Sequence, residues 1–135
     1  MRVTLISTEG PWLEAKVKAG DRILTVMDEF SIDEGTAPTV NSEFDVELSA
    51  FVDEDGSWEE MFSGNPERKR EVRQLDGWRY QAFGKVISID PVVVDCGLLE
   101  IPDVFHSNDS RVVGEFISFM ISRLDATQYA QQAGR

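Results

Sequence analysis

Carboxylates spaced two residues apart are the side chains in this sequence that are best placed to act together. Glu43, Asp45 and Glu47 alternate with apolar residues, so a β-strand would carry all three on one face, about 6.8 Å apart. Such a row attracts a basic protein, imitates a row of phosphates, or is simply a solvated strand face. The spacing therefore indicates recognition by charge and leaves these three interpretations open.

Further acids follow this row along the chain. The 45 positions between Arg22 and Arg68 contain 13 acids and no Lys or Arg, and the 135 residues together have a formal net charge of −12. A surface this acidic repels nucleic acids and anionic membranes and attracts basic proteins. We predict a partner-binding surface of acids with two apolar anchors: Glu43, Asp45, Glu47, Phe51, Asp53, Asp55, Trp58, Glu59 and Glu60.

Patterns for catalysis and for metal binding are weak. The only histidine, His106, lies in a polar segment, so neither a nucleophile with its base nor a zinc site is indicated. The stretch from Asp53 suggests a calcium loop, but its glycine falls at position 4 instead of 6 and position 12 is Gly64. A glycosidase carboxylate pair is defined by spatial separation, which a sequence does not show. We expect no cofactor, no metal and no enzymatic activity.

The single cysteine, Cys96, excludes an internal disulfide and indicates a reducing compartment. It lies in an apolar run, where a buried thiol that acts as a small hydrophobe is expected. Residues 2–7 alternate as a strand does and lack the apolar run of a secretory signal, and no apolar run approaches the length of a membrane span. We expect a cytoplasmic protein that binds neither nucleic acid nor membrane, with self-association left open.

Strand patterns dominate the elements that would hold these residues. Alternating or β-branched apolar residues predict seven strands, at 2–7, 12–18, 22–27, 40–52, 78–89, 92–101 and 112–124. Gly84 lies inside the fifth of these strands and predicts a bulge or a bend there. Phe51 falls on the same face of the fourth strand as the acidic row, where a solvated strand would prefer a polar residue.

One segment has the signature of helix instead. Ser57-Trp58-Glu59-Glu60 has the form of a capping box, and Asn65-Pro66 provides a second N-cap followed by strong helix formers, so we predict a helical insert at about 57–76. The bases at 68–70 and Arg73 would form one stripe on it. This stripe is a solvated face with local pairs to Glu67 and Glu71, or neutralises the acidic strand, or contacts a second copy.

The fold expected is mostly β with a short helical insert, a single domain over 1–135 with a frayed tail at about 126–135. A small barrel and a two-sheet sandwich both fit, and the order strands, helix, strands is also that of an OB-like barrel, in architecture alone. The function expected is that of a small acidic protein-binding module, such as an inhibitor or immunity-type protein that occludes a basic partner. A β-barrel that binds a small ligand and a structural subunit of an assembly remain as alternatives.

Overall fold

The structure is a computed structural model that describes residues 1–53 and 56–128. Its elements, in chain order, are β1 Arg2–Thr8, β2 Glu14–Ala19, β3 Arg22–Glu29, β4 Glu43–Val52, α1 Trp58–Ser63, β5 Glu71–Asp76, β6 Arg79–Ile89, β7 Val92–Asp95, β8 Glu100–Pro102, a 3₁₀ helix Ser110–Val112 and β9 Phe116–Gln128. The prediction of a mostly β fold with one short helix is confirmed. The described strands pair in the order β3-β2-β1-β4-β9-β6-β7-β8, β5 also pairs with β6, and β3 also pairs with β9.

The chain divides into two compact units, each built from separate segments. Unit 1 contains Met1–Ala50, Asp76–Trp78 and the residues from Arg123 onward, and unit 2 contains Phe51–Leu75 and Arg79–Ser122. The single-domain assignment stays a prediction.

Unit 1 has a partly ring-like arrangement of strands. Antiparallel pairings join β4 to β1, β1 to β2 and β2 to β3, and β3 pairs in parallel with the end of β9, where Met27 lies opposite Asp125. Since β4 and β9 are also neighbours, the pairings return to their starting point. Alternate residues point inward, so the buried side chains include Leu5, Val17, Leu24 and Phe44. This strand order agrees with the barrel alternative.

Unit 2 is built on antiparallel pairing of β6 with the first half of β9. β7 follows β6, and β8 follows β7, each antiparallel to the strand before it. Gly84 is needed on β6 because a Cβ there would lie 2.6 Å from the carbonyl oxygen of Asp95 and from a methyl carbon of Val94. The bulge that the sequence predicts at Gly84 falls between Val86 and Ser88 instead, and Gly84 permits a close approach of β7.

The helical insert predicted at 57–76 is wrong over most of its length. Helix is confined to α1, the residues from Gly64 to Arg70 are turns and extended chain, and 71–76 is strand β5. Pairing with β6 gives the β5 backbone its hydrogen-bond partners and buries Val72, which outweighs the helix propensity of the segment. The basic stripe that the helix would have carried is therefore wrong as well.

The strand predicted at 92–101 is wrong, because the chain turns back there and forms two antiparallel strands, β7 and β8. Other strand ends shift by a few residues from their predicted positions. β2 begins at Glu14, because Trp12 adopts a φ of 70° in the turn before it, and β9 runs from Phe116 to Gln128. Ala126 is buried in this strand, so the start of the predicted frayed tail is ordered. The rest of that tail, 129–135, lies outside the described residues.

Candidate functional site

The acidic row predicted on β4 lies in unit 1. Glu43, Asp45 and Glu47 are all exposed on one face of the strand, as the alternation predicts. Arg2 lies between two of them, with Nη1 3.2 Å from Asp45 Oδ2 and Nε 3.6 Å from Glu43 Oε1. Exposed ion pairs contribute only about 0–1 kcal/mol to stability. The main effect of Arg2 is therefore to reduce the negative charge of this row.

The remaining predicted site residues belong to unit 2. Phe51, Asp53, Trp58, Glu59 and Glu60 are all exposed there, and Phe51 and Trp58 each keep about half of their surface in solvent, 51% and 50%. Asp55 lies outside the described residues. The eight described residues thus fall into two groups, three in unit 1 and five in unit 2.

Trp58 and Glu60 lie in the first turn of helix α1, which is six residues long. Ser57 is the N-cap, with an extended ψ of 157°, and its Oγ accepts a hydrogen bond from the backbone N–H of Glu60 at 3.1 Å. The half of the predicted capping box in which Ser57 accepts is therefore present. The side chains of the helix are not fully buried, so this short element holds its residues at the surface of unit 2.

Two aromatic side chains of this helix and a third from a later segment form one cluster. Trp58 stacks on Phe62 with their centroids 5.6 Å apart, and both rings meet the edge of Phe105, at 5.1 Å and 5.6 Å. Stacked and edge-to-face pairs at these separations stabilise the cluster by about 0.5–1.5 kcal/mol each beyond the burial of area. Phe105 is buried, and it anchors the half-exposed Trp58 in a fixed orientation.

A cleft of about 660 Å³ opens beside this aromatic cluster, and all of its described lining residues belong to unit 2. Its floor includes Gln81 on β6 and Ser118 and Met120 on β9. Gln81 lies opposite Met120, and Ser118 is two residues along the same strand, so the three share one sheet face. Nε2 of Gln81 donates to Oγ of Ser118 at 3.2 Å, which gives the floor a polar pair.

The segment after α1 is held against β9 by Asn65. Its Nδ2 donates to the carbonyl oxygens of Lys69 at 2.9 Å and Ile117 at 3.2 Å, and its Oδ1 accepts from the Lys69 N–H at 2.8 Å. Gly64 is required just before it, because a Cβ at this position would lie 2.9 Å from Cβ of Ser118. Together these contacts fix the end of α1 over the floor of the cleft.

Negative charge prevails in the lining of the cleft. Asp53 and Glu60 line it, beside Trp58, Met61 and His106, and the lining contributed by residues 1–53 and 56–128 contains no lysine or arginine. Three of the residues predicted as partner-binding therefore meet at one cavity: Asp53, Trp58 and Glu60.

The basic residues at 68–70 and 73 do not lie on a helix. Their charged groups lie over two phenylalanine rings. The guanidinium carbons of Arg68 and Arg70 are 5.3 and 5.8 Å from the ring centroid of Phe116, and Lys69 Nζ and the Arg73 guanidinium carbon are 5.7 and 5.1 Å from that of Phe83. Lys69 also pairs with Glu67 at 3.3 Å and Arg73 with Glu71 at 3.1 Å. These are the two local pairs named in the solvated-face interpretation, although the backbone there is a turn followed by strand β5.

A second group of carboxylates lies in unit 1. Burial raises the pKa of Glu29 to about 7, and so do its hydrogen bond with Asp125 and the negative charge of that residue. Asp125 is buried, and its Oδ1 is 2.7 Å from Nε of Arg123. The group lies where β3 meets β9, because Glu29 is opposite Thr127. We assign it a role in closing the strand ring of unit 1.

The remaining candidates for chemistry are structural. Cys96 is fully buried, as predicted, and burial raises the pKa of its thiol to about 12, with Asp95 adding to the shift, so it stays protonated at neutral pH. Residues 1–53 and 56–128 contain no group of three His, Cys, Asp or Glu side chains placed to hold a metal ion.

The residues that sequence reasoning missed are the floor and far wall of the cleft, Gln81, Phe105, His106 and Ser118. They come from three separate segments, and the sequence around His106 has the polar character of a loop. The apolar pair Val104-Phe105 within that polar stretch is the one signal that marks it as a packed wall, and both residues are buried.

Comparison with known proteins gives no match, since no family model, no curated protein and no solved structure resembles this chain. No helix in the described part of the chain has the length and apolar character needed to cross a membrane.

Proposed function

We propose that this protein is a binding module that takes part of a basic protein partner into the cleft of unit 2. The observation that carries the proposal is the meeting of Trp58, Asp53 and Glu60 at one cavity of about 660 Å³. A half-exposed tryptophan beside a cavity is typical of the residues that dominate binding energy at interfaces. The two carboxylates and the net charge of −12 favour a partner of opposite charge.

The rest of the unit supports binding more than catalysis. Trp58 is held by Phe62 and Phe105, and Asn65 fixes the segment beside the floor, so the cavity is formed before a partner arrives. The acids on β4 act at longer range in this proposal, by raising the rate at which a basic protein encounters the surface. An inhibitor that covers a basic site on its partner would use both features.

The experiment compares capture by two tryptophan variants. Wild-type protein, Trp58→Leu and Trp12→Leu are immobilised and exposed to an extract of the source cell at low and then moderate salt. Trp12 is the matched control, because it is also exposed, 55%, belongs to unit 1 and is not a lining residue of the cleft. We expect one basic protein to be retained by the wild type and by Trp12→Leu and lost from Trp58→Leu. Equal retention by all three proteins would contradict the proposal.

A small ligand is the second candidate for the same cavity. Its volume falls within the roughly 300–1,000 Å³ of small-molecule sites, and the hydrogen-bonded pair of Gln81 and Ser118 gives an apolar wall a polar floor. Native mass spectrometry of the protein after incubation with the same extract distinguishes the two. A bound mass of a few hundred daltons that Trp58→Leu fails to retain would favour the small ligand over the protein partner.

A further inference from the structure

We infer that the cleft of unit 2 binds a guanidinium group, such as the arginine side chain of the basic partner. This inference rests on the proposed function, because it names the chemical group that the same cavity receives. Three features of the lining carry it: an exposed aromatic ring, two carboxylates and further hydrogen-bond acceptors, with no lysine or arginine among the described lining residues.

The aromatic ring selects for a cation that is flat. Trp58 provides the strongest cation-binding ring among the side chains; half of its surface is exposed, and the residue lines the cavity. A guanidinium stacks on such a ring and is less strongly hydrated than an ammonium, so it loses less when it leaves water. The aromatic wall of Trp58 and Phe105 therefore favours arginine over lysine.

The polar groups around the ring are suited to a donor with several N–H groups. Glu60 lines the cavity and forms no ion pair within the described residues, and Asp53 adds a second carboxylate to the lining. Ser118 offers its hydroxyl oxygen on the floor, and Gln81 has an amide oxygen besides the nitrogen that donates to Ser118. A guanidinium carries five N–H donors and no acceptor, which matches this set of oxygens.

Two cations over the same sheet face do not compete for this place. Lys69 and Arg73 lie over the ring of Phe83, at 5.7 and 5.1 Å, and each pairs with a neighbouring glutamate. Neither residue is part of the lining.

The test titrates ¹⁵N-labelled protein with N-acetyl-arginine amide and, separately, with N-acetyl-citrulline amide and N-acetyl-lysine amide. Citrulline has nearly the shape of arginine without its charge. The three indole N–H signals report separately, so Trp12 and Trp78 serve as internal controls for Trp58. We expect the arginine probe to shift the signals of Trp58, Gln81 and Ser118 and to bind about tenfold more tightly than the citrulline probe.

Two glutamates that are adjacent in α1 provide matched variants. Glu60→Gln keeps the backbone N–H that Ser57 caps and removes one carboxylate from the lining, whereas Glu59→Gln removes an exposed carboxylate outside it. We expect Glu60→Gln to weaken binding of the arginine probe by about threefold and Glu59→Gln to leave it unchanged. The dispersion of the amide spectrum shows that each variant is folded.

Equal affinity for the arginine and citrulline probes, or equal affinity for arginine and lysine, would overturn the inference. If Trp58→Leu still loses the partner protein in that case, the cleft remains the binding site and the guanidinium assignment alone is wrong. If Trp58→Leu retains the partner and no probe shifts the Trp58 signal, the proposed function and this inference fail together.

Discussion

Replacing Asn65 by alanine tests the contact that fixes one side of the cleft. The side chain is 5% exposed and makes three hydrogen bonds, two to Lys69 and one to the carbonyl oxygen of Ile117. Each such bond contributes about 1 kcal/mol net, and the variant leaves two carbonyl groups without this donor. We therefore expect the free energy of unfolding to fall by about 3 kcal/mol, a large part of the roughly 5–15 kcal/mol typical of a domain.

Urea unfolding followed by tryptophan fluorescence measures this loss. With a slope of about 1–3 kcal/mol per molar urea, the midpoint should move down by about 1–3 M while the slope stays the same. Asn108→Ala is the control, since Asn108 is exposed and its replacement should change stability by less than about 0.5 kcal/mol. A loss in Asn65→Ala no larger than in Asn108→Ala would refute the reasoning, because the bond to Ile117 would then carry no energy.

Two further predictions concern charge in unit 1. The folded pKa of Glu29 is raised from 4.5 to about 7, so the folded state holds a proton that the unfolded state has lost, and stability should fall as pH rises from about 4.5 through 7. Glu29→Gln should flatten the decrease in melting temperature between pH 5 and pH 8; an unchanged slope would count against the pairing with Asp125. Reversing Glu43, Asp45 and Glu47 to Lys changes the net charge from −12 to −6 and should slow association with the basic partner, most strongly at low salt, without changing its dissociation. Stopped-flow mixing at two salt concentrations measures both rates, and an unchanged association rate at low salt would exclude steering by this strand.

Local patterns predicted those elements whose partners lie close in sequence. The alternation along β4 placed Glu43 and Phe51 on the exposed face, and the cap at Ser57 marked the start of α1. Both features depend on interactions within a few residues, which a sequence displays directly.

Predictions failed where a distant strand decides the outcome. The residues before Leu75 are helix formers, yet β6 pairs with them and buries Val72, and a strand results. Gly84 was expected to bend its own strand, but it serves β7, whose carbonyl at Asp95 approaches to within 2.6 Å of the missing Cβ. In both cases the deciding contact is with a different strand, and no pattern within the segment itself indicates that strand.

The candidate site shows the same division. Density of acids along the chain marked Asp53, Trp58, Glu59 and Glu60 together, because charge is visible in the sequence. Glu59 and Glu60 are adjacent, equally acidic and both exposed, but only Glu60 lines the cleft. If the protein recognised its partner through net negative charge alone, Glu59 and Glu60 would contribute equally to binding. Both carboxylates would lie well within a Debye length of a partner bound at α1. A difference between Glu59→Gln and Glu60→Gln therefore separates recognition by a formed cavity from recognition by net charge, and the structure assigns that difference to the walls supplied by Phe105 and by β9.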